Sequence, residues 1–266
     1  MKNKYLVFTD LDGTLLDHEN YDFSEAQEAL DYLKSQSIPL ILSTSKTFAE
    51  VVQLQEKLSM REPFIVENGA GIFIPSECVL AESLSFKEDW IKVSHASSYI
   101  ELRLFFTAMQ REFPIKGFGD MGVSEVSFLT GLDEDAAVNA MKRDFTEPFI
   151  IEDEKFVDDL KSKANANGFN IVKGGRFFHL ISLNQDKSNA MMQLTHMYDE
   201  YFNCSHTKIA LGDSANDFKM LETSDIGVLI PLFDGSYSTQ TLKNVQKAKF
   251  PGPKGWNQAI KEIFNA

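Results

Sequence analysis

Tyr5-Leu6-Val7-Phe8-Thr9-Asp10-Leu11-Asp12-Gly13-Thr14 decides how the rest of this sequence is read. Five uncharged residues of good strand propensity run straight into two carboxylates one residue apart. Such a run reads as a strand buried on both faces, the kind found inside a parallel sheet. In open α/β sheets ligands bind beyond the carboxyl ends of the strands, which is where Asp10 and Asp12 fall. Gly13 permits a tight backbone turn at that point. Two like charges held together out of water are costly unless a cation or a shared proton relieves them. A metal-dependent acid site is the expectation.

Working outward, the α/β rhythm continues. Ser24 with Gln27 forms a capping-box signature that opens a helix through Leu30 and Leu33. Ile38-Pro39-Leu40-Ile41-Leu42-Ser43 is a second apolar run, and Thr47 with Glu50 caps a second helix carrying Val51, Leu54 and Leu58. Pro63-Phe64-Ile65-Val66 reads as a third strand, ending at Glu67-Asn68-Gly69, with Ile72-Phe73-Ile74 as its hairpin partner. The pattern changes after about Ser83. Helices are predicted over residues 99–110, 135–145 and 157–165. Strands are predicted over 123–129, 149–151, 169–172 and 177–183, the last two flanking a Gly174-Gly175 turn. From Ser188 the earlier rhythm returns, with a helix to about Phe202 and strands over 208–211 and 226–230. The expected fold class is α/β: a Rossmann-like core with a parallel sheet, residues 1–83 and 186–266, split by an inserted α+β domain, residues 84–185.

Composition narrows the function classes. With 266 residues, 43% hydrophobic content and 22 Phe, the chain has ample material for a core. A net charge of −13 argues against nucleic acid or an anionic membrane as a general partner. An anionic small substrate remains open if local cations reverse the field. Cys78 and Cys204 stand far apart without a CxxC, which argues against a disulfide framework or structural zinc. The first apolar run ends at Asp10, too short for a secretion signal, and nothing approaches a membrane span. A soluble cytoplasmic protein is expected.

Four segments carry reactive side chains to the ends of the expected core strands or beside them: Asp10-x-Asp12, Ser43-Thr44-Ser45-Lys46, Lys187, and Gly212-Asp213-Ser214-Ala215-Asn216-Asp217. Singly, each reads as readily as a solvated turn, a polar link or a helix cap. Together, in this order, they describe one site. Asp10, Asp213 and Asp217 are too acidic to admit phosphate unaided, and oxygen-only ligands suit magnesium. Thr44 supplies a hydrogen bond and Lys187 a point cation for a phosphoryl group. Asp10 is the candidate nucleophile on phosphorus, and Asp12 the acid that protonates the leaving oxygen and the base that later activates water.

These motifs resemble the four signatures of the haloacid dehalogenase superfamily of phosphatases, and the insertion resembles the α/β cap of its sugar-phosphatase branch. The resemblance implies Asp10 as nucleophile and Asp12 as acid/base. It also implies magnesium held by Asp10, the backbone carbonyl of Asp12 and Asp213, with Asp217 supporting the metal. Ser45-Lys46-Thr47, Glu67-Asn68-Gly69-Ala70-Gly71, Thr130-Gly131-Leu132, residues 143–149, Gly174-Gly175-Arg176-Phe177-Phe178-His179 and Gly252-Pro253-Lys254-Gly255-Trp256-Asn257 extend the likeness along nearly the whole chain. In these segments it resembles the mannosyl-3-phosphoglycerate phosphatases. That likeness implies a small anionic phosphorylated sugar as substrate. The alternatives are glucosyl-3-phosphoglycerate, sucrose phosphate, phosphoryl transfer as in phosphomannomutases, or binding without catalysis.

One departure is Asp186-Lys187-Ser188, where relatives often have Asp-Lys-Gly; the Lys is kept, and Ser188 is expected to cap the helix that follows. Arg176 suits a substrate carboxylate because its planar fork bonds bidentately. Strand alternation puts His179 on the opposite face from Arg176, so His179 is expected to be a satisfied structural histidine. Ser45, Lys46, Asn68 and Asn216 complete the expected substrate-binding set, and Trp256 is expected in a core.

Overall fold

The computed structural model describes residues 4–83, 89–173, 177–239 and 241–266. The chain begins β1 (Tyr5–Thr9), α1 (Gln27–Ser35), β2 (Leu40–Ser43), α2 (Phe48–Lys57), β3 (Phe64–Val66), β4 (Gly71–Pro75) and β5 (Trp90–Val93). It continues through α3 (Tyr99–Met109), β6 (Ile115–Gly117), α4 (Val123–Thr130), α5 (Glu134–Met141), β7 (Glu147–Ile151), α6 (Val157–Ala166), β8 (Phe169–Lys173) and β9 (Phe178–Ser182). It closes with α7 (Lys187–Phe202), β10 (Thr207–Gly212), α8 (Phe218–Thr223), β11 (Ile226–Leu229), β12 (Val245–Lys247) and α9 (Gly252–Phe264).

Two sheets result. The larger has eight strands in the order β12-β11-β10-β1-β2-β3-β4-β5. Its pairings from β12 to β3 are parallel, and β4 and β5 add antiparallel at one edge. Alternation along β1 explains why this sheet is covered on both faces. Val7 points into a core with Leu33, Val51, Trp256 and Ile260, while Leu6 and Phe8 point into one with Met191, Leu194, Met220 and Leu221. Helices α1, α2 and α9 thus pack one face, and α7 and α8 the other. The smaller sheet, β6-β7-β9-β8, is antiparallel and has its own core around Phe106, Phe149, Leu160 and Leu180. Among the described residues no helix is long and apolar enough to cross a membrane.

Several local expectations need correcting. Residues 123–129 are helical, not a strand: Val123, Val126 and Leu129 fall three apart and pack with Phe118, Met121 and Ala137, so the helical period wins over β-branched propensity. Gly131, at φ 78°, ends that helix. Ser24 caps nothing; its hydroxyl donates to Asp22 at 2.5 Å, residues 24–26 make a 3-10 turn, and α1 starts at Gln27. The α7 cap is Asp186, which accepts from the Asn189 N–H at 2.7 Å, and Ser188 is buried inside the helix. Residues 142–145 leave the helical path because Glu67 anchors the backbone of Asp144 and Phe145. Residues 90–93, within the expected insertion, pair with β4 and so belong to the larger sheet. The Thr47–Glu50 capping box forms as read.

Candidate active site

β1 lies between β2 and β10 with all three parallel, so the loops leaving their carboxyl ends meet. The chain departs from β1 towards β2 on one side and returns through β10 on the other, which makes this the switch point of the sheet. Gly13, at φ 76°, carries the first loop past Asp213; a Cβ there would stand 2.7 Å from Asp213 Oδ2. The turn after β3 has Glu67, Asn68 and Gly69 all at positive φ. A Cβ on Gly69 would lie 2.1 Å from the Asp186 carbonyl oxygen. That close approach seats the start of α7, and with it Lys187, against the end of the sheet.

Lys187 is buried and donates to Asp10 Oδ1 at 2.6 Å and Asp217 Oδ1 at 2.7 Å. Burial works against its charge, but the Asp10 and Asp217 carboxylates more than compensate and push its pKa up. One carboxylate oxygen from each of Asp10, Asp213 and Asp217 lies within 4.8 Å of the others. Asp217 Oδ2 also accepts the backbone N–H groups of Asp213 (3.2 Å) and Ser214 (3.1 Å), which folds the loop onto itself. Burial, then the Asp217 charge, raises the pKa of Asp10, and Lys187 only partly offsets this. The same two causes raise Asp213 to about 7. Asp213 Oδ1 is buried with no hydrogen-bond partner among the described residues. An orphaned carboxylate oxygen in a cluster where Asp10 and Asp213 both have elevated pKa is what a hard divalent cation with oxygen ligands would relieve. The residues present therefore fit magnesium.

Asp12 stands outside that cluster. Its Oδ2 pairs with Lys46 Nζ at 2.9 Å, and its Oδ1 is buried without a partner among the described residues. Burial opposes the Lys46 charge, but Asp12 and then Glu50 raise its pKa. Thr44 is buried, and its hydroxyl oxygen accepts the Lys46 N–H at 3.1 Å. The Thr44 carbonyl takes the Asn68 N–H at 2.9 Å, and Asn68 Oδ1 takes Asn216 Nδ2 at 3.1 Å. The structure thus joins Thr44, Asn68 and Asn216 in one rim around the carboxylates. Beneath them, Trp256 Nε1 donates to Thr9 Oγ1 at 3.0 Å, and that hydroxyl donates to the Asp10 carbonyl at 2.7 Å.

Above the rim is a cavity of about 580 Å³ lined from both sheets' territories. The core contributes Asp10, Asp12, Ser45, Lys46, Asn68, Asp213 and Asn216, and the smaller-sheet region contributes Thr130, Arg143, Lys173 and His179. Arg176 lies outside the described residues. Arg143, which the sequence reading did not single out, donates to the Ser45 carbonyl at 2.7 Å and to the Ala140 carbonyl at 2.8 Å. It bridges the second strand-end loop to α5. Glu67 was also missed: it is buried and accepts from Asp144 N (2.8 Å), Phe145 N (3.2 Å) and Thr146 Oγ1 (2.7 Å). The expectation for His179 fails in one respect, since its buried Nδ1 has no hydrogen-bond partner among the described residues. Nothing in strand alternation reports whether a ring nitrogen is satisfied.

A sequence profile for haloacid dehalogenase-like hydrolases matches residues 7–231. A glucosyl-3-phosphoglycerate/mannosyl-3-phosphoglycerate phosphatase from Persephonella marina is 45% identical over 261 residues, covering 98% of this chain and 97% of the relative. A protein of the same name from Methanococcoides burtonii is 40% identical over 267 residues, covering 98% and 97%. The solved structure of a haloalkanoate-superfamily phosphatase from Bacteroides thetaiotaomicron superposes with a TM-score of 0.68 at 16% identity, over 99% of this chain and 96% of that one.

Proposed function

This chain belongs to the haloacid dehalogenase-like hydrolase family, and on that premise we propose that it is a magnesium-dependent phosphatase of a glycosyl-3-phosphoglycerate. Mannosyl-3-phosphoglycerate is the preferred substrate in this reading, with the glucosyl form as the nearest competitor. The observation that carries it is the meeting of Asp10, Asp213 and Asp217 with the buried Lys187 beneath a cavity lined by further cations. Near full-length identity of 45% to a phosphatase named for both glycosyl forms supports the substrate class.

In the proposed reaction the Asp10 carboxylate attacks phosphorus and the bond to the glycerate oxygen breaks. Asp12 gives that oxygen its proton, so glycosylglycerate leaves with a free hydroxyl in place of the ester and an aspartyl-phosphate remains. Asp12, now ionised, takes a proton from water as the water oxygen attacks phosphorus, which frees Asp10 and releases phosphate. Lys187 favours the ionised form of Asp10 against burial and the Asp217 charge, and it offsets phosphoryl charge. Thr44, Ser45, Asn68 and Asn216 orient the phosphoryl oxygens, and Lys46 holds Asp12 in place until the substrate arrives. Asp10, Asp213 and the Asp12 carbonyl would hold magnesium, supported by Asp217; when bound, it supplies charge neutralisation that admits the phosphate dianion. The smaller sheet and its helices serve as the cap that carries specificity, and the cytoplasm is the proposed setting.

The test is phosphate release with magnesium across mannosyl- and glucosyl-3-phosphoglycerate, sucrose phosphate, hexose phosphates and phosphoglycolate. A clear preference for the two glycosyl-3-phosphoglycerates is expected. Comparable rates on every ester would defeat the substrate assignment and leave the phosphatase standing.

A further inference from the structure

His179 sits in β9, opposite Pro148 of β7 and Val172 of β8. All three line the cavity above Asp10, together with Phe177. The residue is only 9% exposed, and its Nδ1 is fully buried without a hydrogen bond among the described residues. Buried polar groups in native proteins are nearly always paired, so an unpaired ring nitrogen on a residue that lines a cavity marks a place for a ligand atom. Pro148, with no N–H, offers the ring no backbone donor.

The chemistry of the missing partner follows from charge. Burial, then the nearby Arg143 cation, lowers the His179 pKa to about 3, so the imidazole is neutral at physiological pH. A neutral imidazole has one donor and one acceptor nitrogen. A hydroxyl, which both donates and accepts, satisfies either tautomer. The anionic parts of a ligand have other partners in the same cavity, namely Lys46, Arg143 and Lys173. Val172, Pro148 and Phe177 give the surrounding wall an apolar surface that suits the C–H face of a pyranose. Resting on the phosphatase reading above, we infer that His179 hydrogen-bonds a hydroxyl of the substrate's glycosyl group and is a specificity-determining residue for the sugar.

The test compares wild type with His179→Leu and His179→Gln. Three quantities are read: kcat/KM on mannosyl-3-phosphoglycerate, inhibition by each product (mannosylglycerate and inorganic phosphate), and the thermal midpoint. His179→Leu should lower kcat/KM and weaken mannosylglycerate inhibition by roughly ten- to a hundredfold, the cost of a lost hydroxyl contact. Phosphate inhibition should stay within about twofold, because inorganic phosphate carries no glycosyl hydroxyl for His179 to bond. The midpoint should hold or rise, since an apolar isostere removes an orphaned polar atom. His179→Gln, with both a donor and an acceptor, should restore part of the loss. Unchanged kcat/KM in His179→Leu would overturn the inference. So would a lowered midpoint with equal weakening of both products, which would assign the residue to the fold. If wild type releases no phosphate from any glycosyl-3-phosphoglycerate, the phosphatase reading fails first and takes this inference with it.

Discussion

Lys187 is held between Asp10 and Asp217 with no exposed side-chain surface, so both carboxylates depend on one ammonium for their charge. Breaking a buried pair from one side is strongly destabilising because the remaining charges stay uncompensated. Lys187→Met is expected to cost about 3–5 kcal/mol in urea unfolding and to abolish turnover; a loss below about 1 kcal/mol would contradict the ion-pair account. The neighbouring acids set a pH dependence of opposite sense to that of an ordinary salt-bridged carboxylate. Asp213 rises from 3.8 to about 7, so the folded chain binds more protons than the unfolded one across that window. Metal-free protein should therefore lose stability as pH climbs from about 4 to about 7. Magnesium competes with those protons, so its stabilising effect should grow over the same range. Thermal midpoints with magnesium and with EDTA at pH 5 and pH 8 check this, and a larger magnesium effect at pH 5 would refute it.

Helix α9 shows how an element reaches the site without touching substrate. Its Trp256 is fully buried and its indole N–H holds the Thr9 hydroxyl that in turn holds the Asp10 carbonyl. Trp256→Phe keeps an aromatic ring but deletes the donor. It should cost about 1–3 kcal/mol in chemical denaturation; a cost under about 0.5 kcal/mol would show the indole bond to be idle. The sequence made Trp256 legible as core, but not the helix that carries it. Gly252, Pro253 and Gly255 are residue types that disfavour a helix interior, yet Pro is tolerated in a first helical turn. Gly255 is required there because a Cβ would fall 1.8 Å from the Phe250 carbonyl oxygen. The core strands were readable because burial on both faces writes continuous apolar runs. In the expected insertion, residues 123–129 misled because their β-branched content competes with a helical period that only tertiary packing resolves. That the candidate side chains Asp10, Lys187, Asp213 and Asp217 would meet was legible because each lies beside the end of a core strand. Arg143 and Glu67 were not, since their roles depend on two distant parts of the chain meeting.

At the scale of the whole molecule, Glu67 is the joint between the two sheets' territories. Its carboxylate leaves the turn after β3 and takes two N–H groups and one hydroxyl from residues 144–146. Burial raises its pKa, and the Arg143 cation and these hydrogen bonds work the other way. Thr47 adds a second tie, donating from the α2 cap to the Asn139 carbonyl at 2.9 Å. Glu67→Gln replaces one acceptor with a donor that faces N–H groups. It should cost about 1.5–3 kcal/mol and speed hydrogen exchange at the Asp144 and Phe145 amides. Unchanged exchange there would mean that Glu67 does not hold the smaller sheet's region in place. Everything proposed for the cavity between the two regions depends in turn on Asp10 as the attacking group. Phosphate release from mannosyl-3-phosphoglycerate by wild type and Asp10→Asn, each with magnesium and with EDTA, tests that claim most directly. The account predicts release by wild type with magnesium alone, and a loss on the order of 10⁴-fold or more in Asp10→Asn with its fold intact. Wild-type turnover in Asp10→Asn would contradict it.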